Sequence, residues 1–334
     1  MKVLIVNQSE VHRLLPMNEC IDVMAEALTG LARGEAIQPL RSIMWLPGKV
    51  GALGVMPSYL AGIDSIGLKV ISVFPGNHGT QYDSHQGAVM LFEATHGQLL
   101  TLMDASSITA IRTASVSGVA TRLLARTHAQ SVAILGTGVQ AVSHLAAMIE
   151  ARTITRARVW GRNPELAQRF AEREARRHGI PVSAAATVQE AVEGVDIICT
   201  TTGAREPILN GEWISPGTHI NAVGSSVAFA RELDTAAVKK ARLYVDRRES
   251  TLNESGDFLL AKKEGAIDDD HIVGEIGELL TGDLEGRRTA DEVTLFKSLG
   301  LSIEDLAAAN HVYRKALKSG VGTMVELGGE RDDS

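Results

Sequence analysis

One stretch limits the fold of this chain more than any other, Ser131-Val-Ala-Ile-Leu-Gly-Thr-Gly-Val-Gln-Ala141. Val132 to Leu135 form a short unbroken apolar run, as a parallel strand buried on both faces requires. Gly136-x-Gly138-x-x-Ala141 follows at once, and residues 142–149 continue at helical spacing. In a dinucleotide site the first glycine turns the chain out of the strand. The second lets the backbone approach a pyrophosphate, and a small third residue lets helix and strand pack closely. The anion then meets free N–H groups and the positive end of the helix dipole.

Around this motif the chain divides in two. Downstream, strand candidates at 158–160, 182–184, 196–200, 219–223 and 243–245 alternate with helical or loop segments, the helix at 164–177 opening on Pro164. That alternation implies βαβ units and a parallel sheet. Residues 292–299 read as a strand or a short helix, residues 302–317 as a last helix, and the acidic tail 330–334 as frayed.

Upstream, after a first strand and a helix marked by Ile21, Met24, Leu28 and Leu31 with Gly34 behind it, short runs at 41–46, 52–56, 67–74, 88–92 and 99–103 are separated by turn signals. They imply a mostly antiparallel sheet. A helix at 106–126, capped by Asp104 or Ser106, joins the two parts. The expected fold class is α/β: a Rossmann doubly wound parallel sheet (119–303) inserted into a mostly antiparallel α+β domain (1–118 plus 304–334).

Composition narrows the partners. With 334 residues, 45% of them hydrophobic, the chain can bury a large core, and its net charge of −7 does not suit nucleic acid or an anionic membrane. Cys20 and Cys199 are the only cysteines, too few for a disulfide framework or a zinc site. No signal peptide or bilayer-spanning run is present, so a cytoplasmic location is expected. No metal-spaced cluster, HExxH or GxSxG occurs, and no metal is expected.

The cofactor can be read from the end of the second Rossmann strand, where an acid would bind the ribose 2′-OH of NAD. No Asp or Glu lies between Ala151 and Pro164. Arg162 and Asn163 stand there instead, suited to the 2′-phosphate of NADP through charge-assisted hydrogen bonds. Three further cations stand in apolar or small-residue settings: Lys69 in Ile-Gly-Leu-Lys-Val-Ile, Arg112 in Ala-Ile-Arg-Thr-Ala, and Arg41 at the start of a strand. Each has a plain alternative, a nearby carboxylate partner for the arginines and snorkelling from an edge strand for Lys69. Together they point to an anionic substrate. His85, at the end of a glycine-rich loop, is a weaker substrate-binding candidate.

These motifs resemble the ornithine cyclodeaminase/mu-crystallin family over nearly the whole chain. The resemblance is carried by Leu53-Gly-Val-Met-Pro57, Ser84-His-Gln86, Ile108-Thr-Ala-Ile-Arg-Thr-Ala114 and Ile134 to Ala141. Further on it is carried by Glu206-Pro-Ile-Leu, Gly211-Glu-Trp213, His219 to Gly224, Arg231-Glu-Leu-Asp234 and Phe296-Lys-Ser-Leu-Gly300. It implies a homodimer whose N-terminal domain, completed by the C-terminal helix, binds substrate. It also implies that Arg41, Lys69 and Arg112 hold a substrate carboxylate. The implied cofactor contacts are Thr113, Gly136, Thr137, Gly138, Val139, Gln140, Arg162, Asn163, Val223 and Ser298.

The Ser84-His85-Gln86 and Trp160-Gly161-Arg162 triplets are of the mu-crystallin kind, which implies an NADPH-dependent ketimine reductase, with NADH as the lesser option. Such an enzyme reduces Δ1-pyrroline-2-carboxylate or Δ1-piperideine-2-carboxylate, with Lys69 or a water as proton source and Lys69, Arg112 and Ser226 around the reacting atoms. The alternatives are an ornithine cyclodeaminase, an alanine-type dehydrogenase, or an NADPH-dependent binder of hormone-sized ligands. Against cyclodeamination stands Ser226, aligned with the aspartate of cyclodeaminases: a hydroxyl is too weak an acid to act as a base unaided. The next carboxylate, Glu232, would have to reach the site through a different loop path.

Overall fold

The computed structural model describes residues 2–77 and 79–329; the expectation for the acidic tail falls outside them. In chain order the first elements are β1 (Lys2–Val6), α1 (Gln8–Leu14), α2 (Met17–Ala32), β2 (Ala36–Ile37), β3 (Ser42–Trp45), β4 (Ala52–Leu60), β5 (Ser65–Val73), β6 (His85–Glu93), β7 (Leu99–Asp104) and α3 (Ala105–Leu124). There follow β8 (Ser131–Leu135), α4 (Val139–Ala151), β9 (Arg156–Trp160), α5 (Pro164–His178), β10 (Val182–Ala184), α6 (Val188–Val192), β11 (Ile197–Thr200), β12 (His219–Ala222), α7 (Thr235–Lys240) and β13 (Arg242–Val245). The last are α8 (Arg248–Glu254), α9 (Gly256–Lys263), β14 (Ile272–Glu275), α10 (Ile276–Thr281), β15 (Thr294–Lys297), α11 (Ser302–Ser319) and β16 (Thr323–Glu326). No helix among them is long and apolar enough to cross a membrane.

The chain forms two compact units, one built from the residues up to Arg112 and those from Leu301 onward, the other from Thr113–Gly300. The changeovers between these units fall at 112/113 and 300/301. The reason is local: the second half of α3 is tied into the central unit, with Ser117 Oγ 3.0 Å from His144 Nε2 and Asn221 Nδ2 donating to Thr121 Oγ1 at 3.0 Å.

In the outer unit one sheet runs β16-β1-β7-β6-β5-β4-β2, with β3 paired to β4. Only the β1–β7 pair among these is parallel. Helix α11 lies on β4, β5 and β6 and against α2. A bare backbone at Gly67 makes that seat possible: a Cβ there would stand 2.9 Å from Leu306 Cβ. The first turn of α11, whose N–H groups have no partner inside the helix, is met from outside by Gln38 Oε1, which accepts from Ile303 N at 3.0 Å.

The central unit is a parallel sheet in the order β10-β9-β8-β11-β12-β15-β13-β14. The chain reverses its direction of travel across the sheet between β8 and β11, which is where such folds bind ligands beyond the strand carboxyl ends. All five residues of β8 are buried, in keeping with its unbroken apolar run. Residues 294–297 resolve as strand β15, settling the ambiguous segment.

Candidate functional site

At the dinucleotide motif, Gly136 adopts φ 128° and its N–H donates to Trp160 O at 2.8 Å. A Cβ there would collide with Thr201, so β8 can turn only on glycine at this point. Gly161, at the end of β9, has room for no side chain either, since Thr137 Cγ2 would lie 2.7 Å from its Cβ. The hydrogen bond from Gly136 N to Trp160 O and the Gly161–Thr137 approach hold the end of β9 against the glycine turn, while Gly136 itself packs on Thr201 after β11. Gly138 forms the N-cap of α4 without a side-chain cap, and its missing Cβ faces open space.

Two polar atoms at positions implied to touch cofactor, Gln140 Oε1 and Ser298 Oγ, are buried without a hydrogen-bond partner. Buried polar groups are ordinarily satisfied. The bare glycines, the uncapped helix start and these two orphans fit a dinucleotide. Arg162 is exposed, and the neighbouring Asn163 caps α5, its Oδ1 accepting from Glu165 N and Leu166 N. Its Nδ2 remains to donate.

Past β12, Ser225 Oγ donates to Ala230 O and Lys297 Nζ donates to Ser225 O at 2.5 Å, pinning the loop that carries half-buried Ser226. Lys297 is itself held by Asp257 at 2.9 Å. Glu232 does not reach outward. It is wholly buried, and its two oxygens accept from Thr200 Oγ1, Thr202 N, Thr202 Oγ1 and Gly224 N at 2.6–2.7 Å. Burial, then Asp257, push its pKa up against the pull of the threonine hydroxyls. Glu232 therefore clamps the ends of β11 and β12 together.

The outer unit carries the cation cluster. Lys69 is only 3% exposed, and β5 lies between β4 and β6, so the edge-strand snorkelling alternative is wrong. Its ammonium meets Asp305 Oδ2 at 2.6 Å. The other oxygen of the same carboxylate accepts from Arg112 Nε at 2.9 Å, while Glu304 Oε2 accepts from Arg112 Nη1 at 2.6 Å. Both buried cations thus have carboxylate partners within the protein, and their burial alone does not demand an anionic substrate. What the cluster offers is chemistry: burial drives the Lys69 pKa down to about 8, with Asp305 opposing and Arg112 and Arg41 assisting.

Half-buried Arg41, just ahead of β3, is thereby placed within electrostatic reach of Lys69. His85 is not brought so close. It begins β6 rather than ending a loop, opposite Val73, whereas Lys69 lies opposite Val89, roughly 13 Å along the strand. Its Nδ1 lies 3.0 Å from Ser84 Oγ.

Asp305 and Glu304 escaped the sequence reading. In Ser302-Ile-Glu-Asp they look like ordinary acids of a first helical turn, and nothing local ties them to Lys69.

The model of the ornithine cyclodeaminase/mu-crystallin family matches residues 1–320. A ketimine reductase mu-crystallin from Mus musculus is 43% identical over 280 residues, 84% of this chain and 85% of the relative. The structure of Thermococcus litoralis Δ1-pyrroline-2-carboxylate reductase in complex with NADH and L-proline is similar with a TM-score of 0.95 and 42% identity, covering 97% of this chain and 100% of that one. An archaeal alanine dehydrogenase dimer with bound NAD is similar at a TM-score of 0.92 and 31% identity, covering 98% and 100%.

Proposed function

The chain belongs to the ornithine cyclodeaminase/mu-crystallin family, and on that footing we propose that it is an NAD(P)H-dependent reductase of cyclic ketimine carboxylates. The substrates are Δ1-pyrroline-2-carboxylate and Δ1-piperideine-2-carboxylate, and the products proline and pipecolate. The observation that carries this reading is Lys69, a buried ammonium at about 8 beside Arg112 and Arg41.

The imine nitrogen must be protonated before its carbon accepts hydride well. Lys69 Nζ gives up a proton as the substrate N–H bond forms, is left as a neutral amine, and regains its proton from water. With a pKa of about 8 it is mostly charged at neutral pH yet readily releases that proton, which an ordinary lysine at 10.5 does not. Arg112 and Arg41 hold the substrate carboxylate; Arg112 has five N–H donors, of which its two internal carboxylates take two. Held this way, the imine carbon is presented in one orientation, a positioning effect that can supply much of the rate. The nicotinamide cofactor supplies the hydride when bound. Thr113, Gly136 to Gln140, Arg162, Asn163, Val223 and Ser298 hold it, and NADPH is preferred over NADH through Arg162.

Ser226 supports imine reduction over cyclodeamination, since neither it nor the clamped Glu232 offers a base at the loop. Exposed apolar side chains on both faces of β3, Ile43 and Trp45 on one and Met44 on the other, support a homodimer that covers this strand. Two buried thiols, Cys20 and Cys199, suit a reducing cytoplasm.

Purified enzyme should oxidise NADPH with either cyclic imine. With ornithine and catalytic oxidised cofactor it should release neither ammonia nor proline at a comparable rate. No turnover of either imine between mildly acidic and neutral pH, or sustained ornithine conversion, would overturn the assignment. The similarity to alanine dehydrogenase gives a second reading, the same step on an open-chain imine, which turnover of pyruvate with ammonia in place of the cyclic imines would establish.

A further inference from the structure

The outer unit places one carboxylate between two cations that the proposed reaction uses differently. Lys69 Nζ and Arg112 Nε contact opposite oxygens of Asp305, at 2.6 and 2.9 Å, and Asp305 is 1% exposed. Burying charges is costly unless they are paired with good geometry. Here the charges of Lys69 and Arg112 are matched by those of Asp305 and Glu304, and the four side chains form a chain of contacts that fixes their spacing. The backbone enforces the arrangement. Gly67 and Lys69 lie two residues apart on one face of β5, and Leu306, seated against Gly67, directly follows Asp305.

We propose that Asp305 is the positioning residue of the reaction, setting the distance between the proton donor Lys69 and the carboxylate anchor Arg112 and keeping the donor charged between turnovers. This rests on the reading of Lys69 as proton source. Each turnover leaves Lys69 as a neutral amine, and a neighbouring negative charge favours recovery of the proton from water. The charged groups acting on the ammonium are Asp305 from α11, Arg112 from α3 and Arg41 from the segment before β3, and Glu304 is joined to them through Arg112. Among them Asp305 raises the proton affinity of Lys69, while Arg112 and Arg41 lower it. Removing the Asp305 charge therefore leaves the two cations unopposed by the carboxylate that touches Lys69.

The test is the pH profile of kcat in the NADPH-driven reduction of Δ1-pyrroline-2-carboxylate. Wild type should lose activity on an alkaline limb near pH 8, and Lys69→Met should lack that limb and most of the activity. In Asp305→Asn the limb should move down by about one pH unit or more. KM for the imino acid should rise, and the Kd for NADPH should stay within about twofold, because Asp305 contacts Lys69 and Arg112 and none of the residues assigned to the cofactor. Asp305→Glu keeps the charge but displaces the ammonium, so its limb should stay near the wild-type position while kcat falls roughly tenfold.

A limb present in wild type, absent in Lys69→Met and unmoved in Asp305→Asn overturns this inference alone. A wild-type profile with no such limb, or one that Lys69→Met retains, overturns the proton-donor reading instead. If Asp305→Asn does not fold, Asp305→Glu decides: wild-type kcat and KM in that variant exclude a positioning role. A purely structural role would lower Tm without moving the limb.

Discussion

Gly67→Ala probes the seat of α11 and, through it, the cation cluster. The added Cβ would lie 2.9 Å from Leu306 Cβ and 3.0 Å from Leu306 Cδ1. The Cδ1 contact can be relieved by a rotamer change, but Cβ is fixed to the helix backbone. The helix must therefore withdraw by roughly half an ångström to reach ordinary contact. Overpacking of this kind costs about 1–3 kcal/mol, and the stiffer unfolded chain of alanine offsets about 0.4–1 kcal/mol of it. The net loss is on the order of 0.5–2 kcal/mol, which lowers Tm by about 1–8 °C in a unit of this size.

The same withdrawal stretches the Lys69–Asp305 contact from 2.6 Å. Lengthening it by about 0.5 Å at an effective dielectric constant of about 20 removes about 1 kcal/mol of attraction. That corresponds to an approximately fivefold fall in kcat if the pair is needed in the transition state. Differential scanning calorimetry and steady-state kinetics read the two effects, with Gly54→Ala as the stability control, because its Cβ would make only an ordinary 3.6 Å contact with Ile71. A Gly67→Ala protein matching wild type in both Tm and kcat would refute the reasoning.

Arg162→Ala should weaken NADPH by on the order of 1.5–3 kcal/mol, the range for a hydrogen bond to a charged group, and leave NADH nearly unchanged; equal losses in titrations of the two cofactors would remove Arg162 from the phosphate. The central unit should become less stable in acid. Burial lowers the pKa of His144 to about 4 and that of His219 to about 3, so the unfolded chain takes up protons below about 6.5 that the folded one refuses. Stability is full above pH 6.5 and falls as pH drops toward 4, by on the order of 2–3 kcal/mol per histidine; urea titrations at pH 7 and pH 5 with equal midpoints would contradict this.

The parallel core of the central unit was legible because strands buried on both faces show as unbroken apolar runs, β8 being the clearest. Strand β14 was missed because Ile272-Val-Gly-Glu275 is short and half of it is glycine and acid. Strand β16 was missed for the opposite reason, since all four of its residues are exposed and no alternation marks a buried face. At the site, Lys69 and Arg112 were visible as cations out of place. Their partner was not, because Asp305 lies 193 residues from Arg112 and only the tertiary fold brings them together.

The interrupted layout of the outer unit has a consequence for the order in which the protein is assembled. During synthesis, β1 to β7 emerge first, but the helix that covers β4, β5 and β6 is made only after all of Thr113–Gly300. The central unit, contiguous in sequence, can close as it leaves the ribosome. Until α11 arrives, its seat on β4, β5 and β6 stays uncovered and Lys69 has no Asp305 to hold it. A chain cut after Gly300 and released should therefore present a folded central unit joined to a sticky, partly uncovered sheet, the state in which chaperones would find this protein.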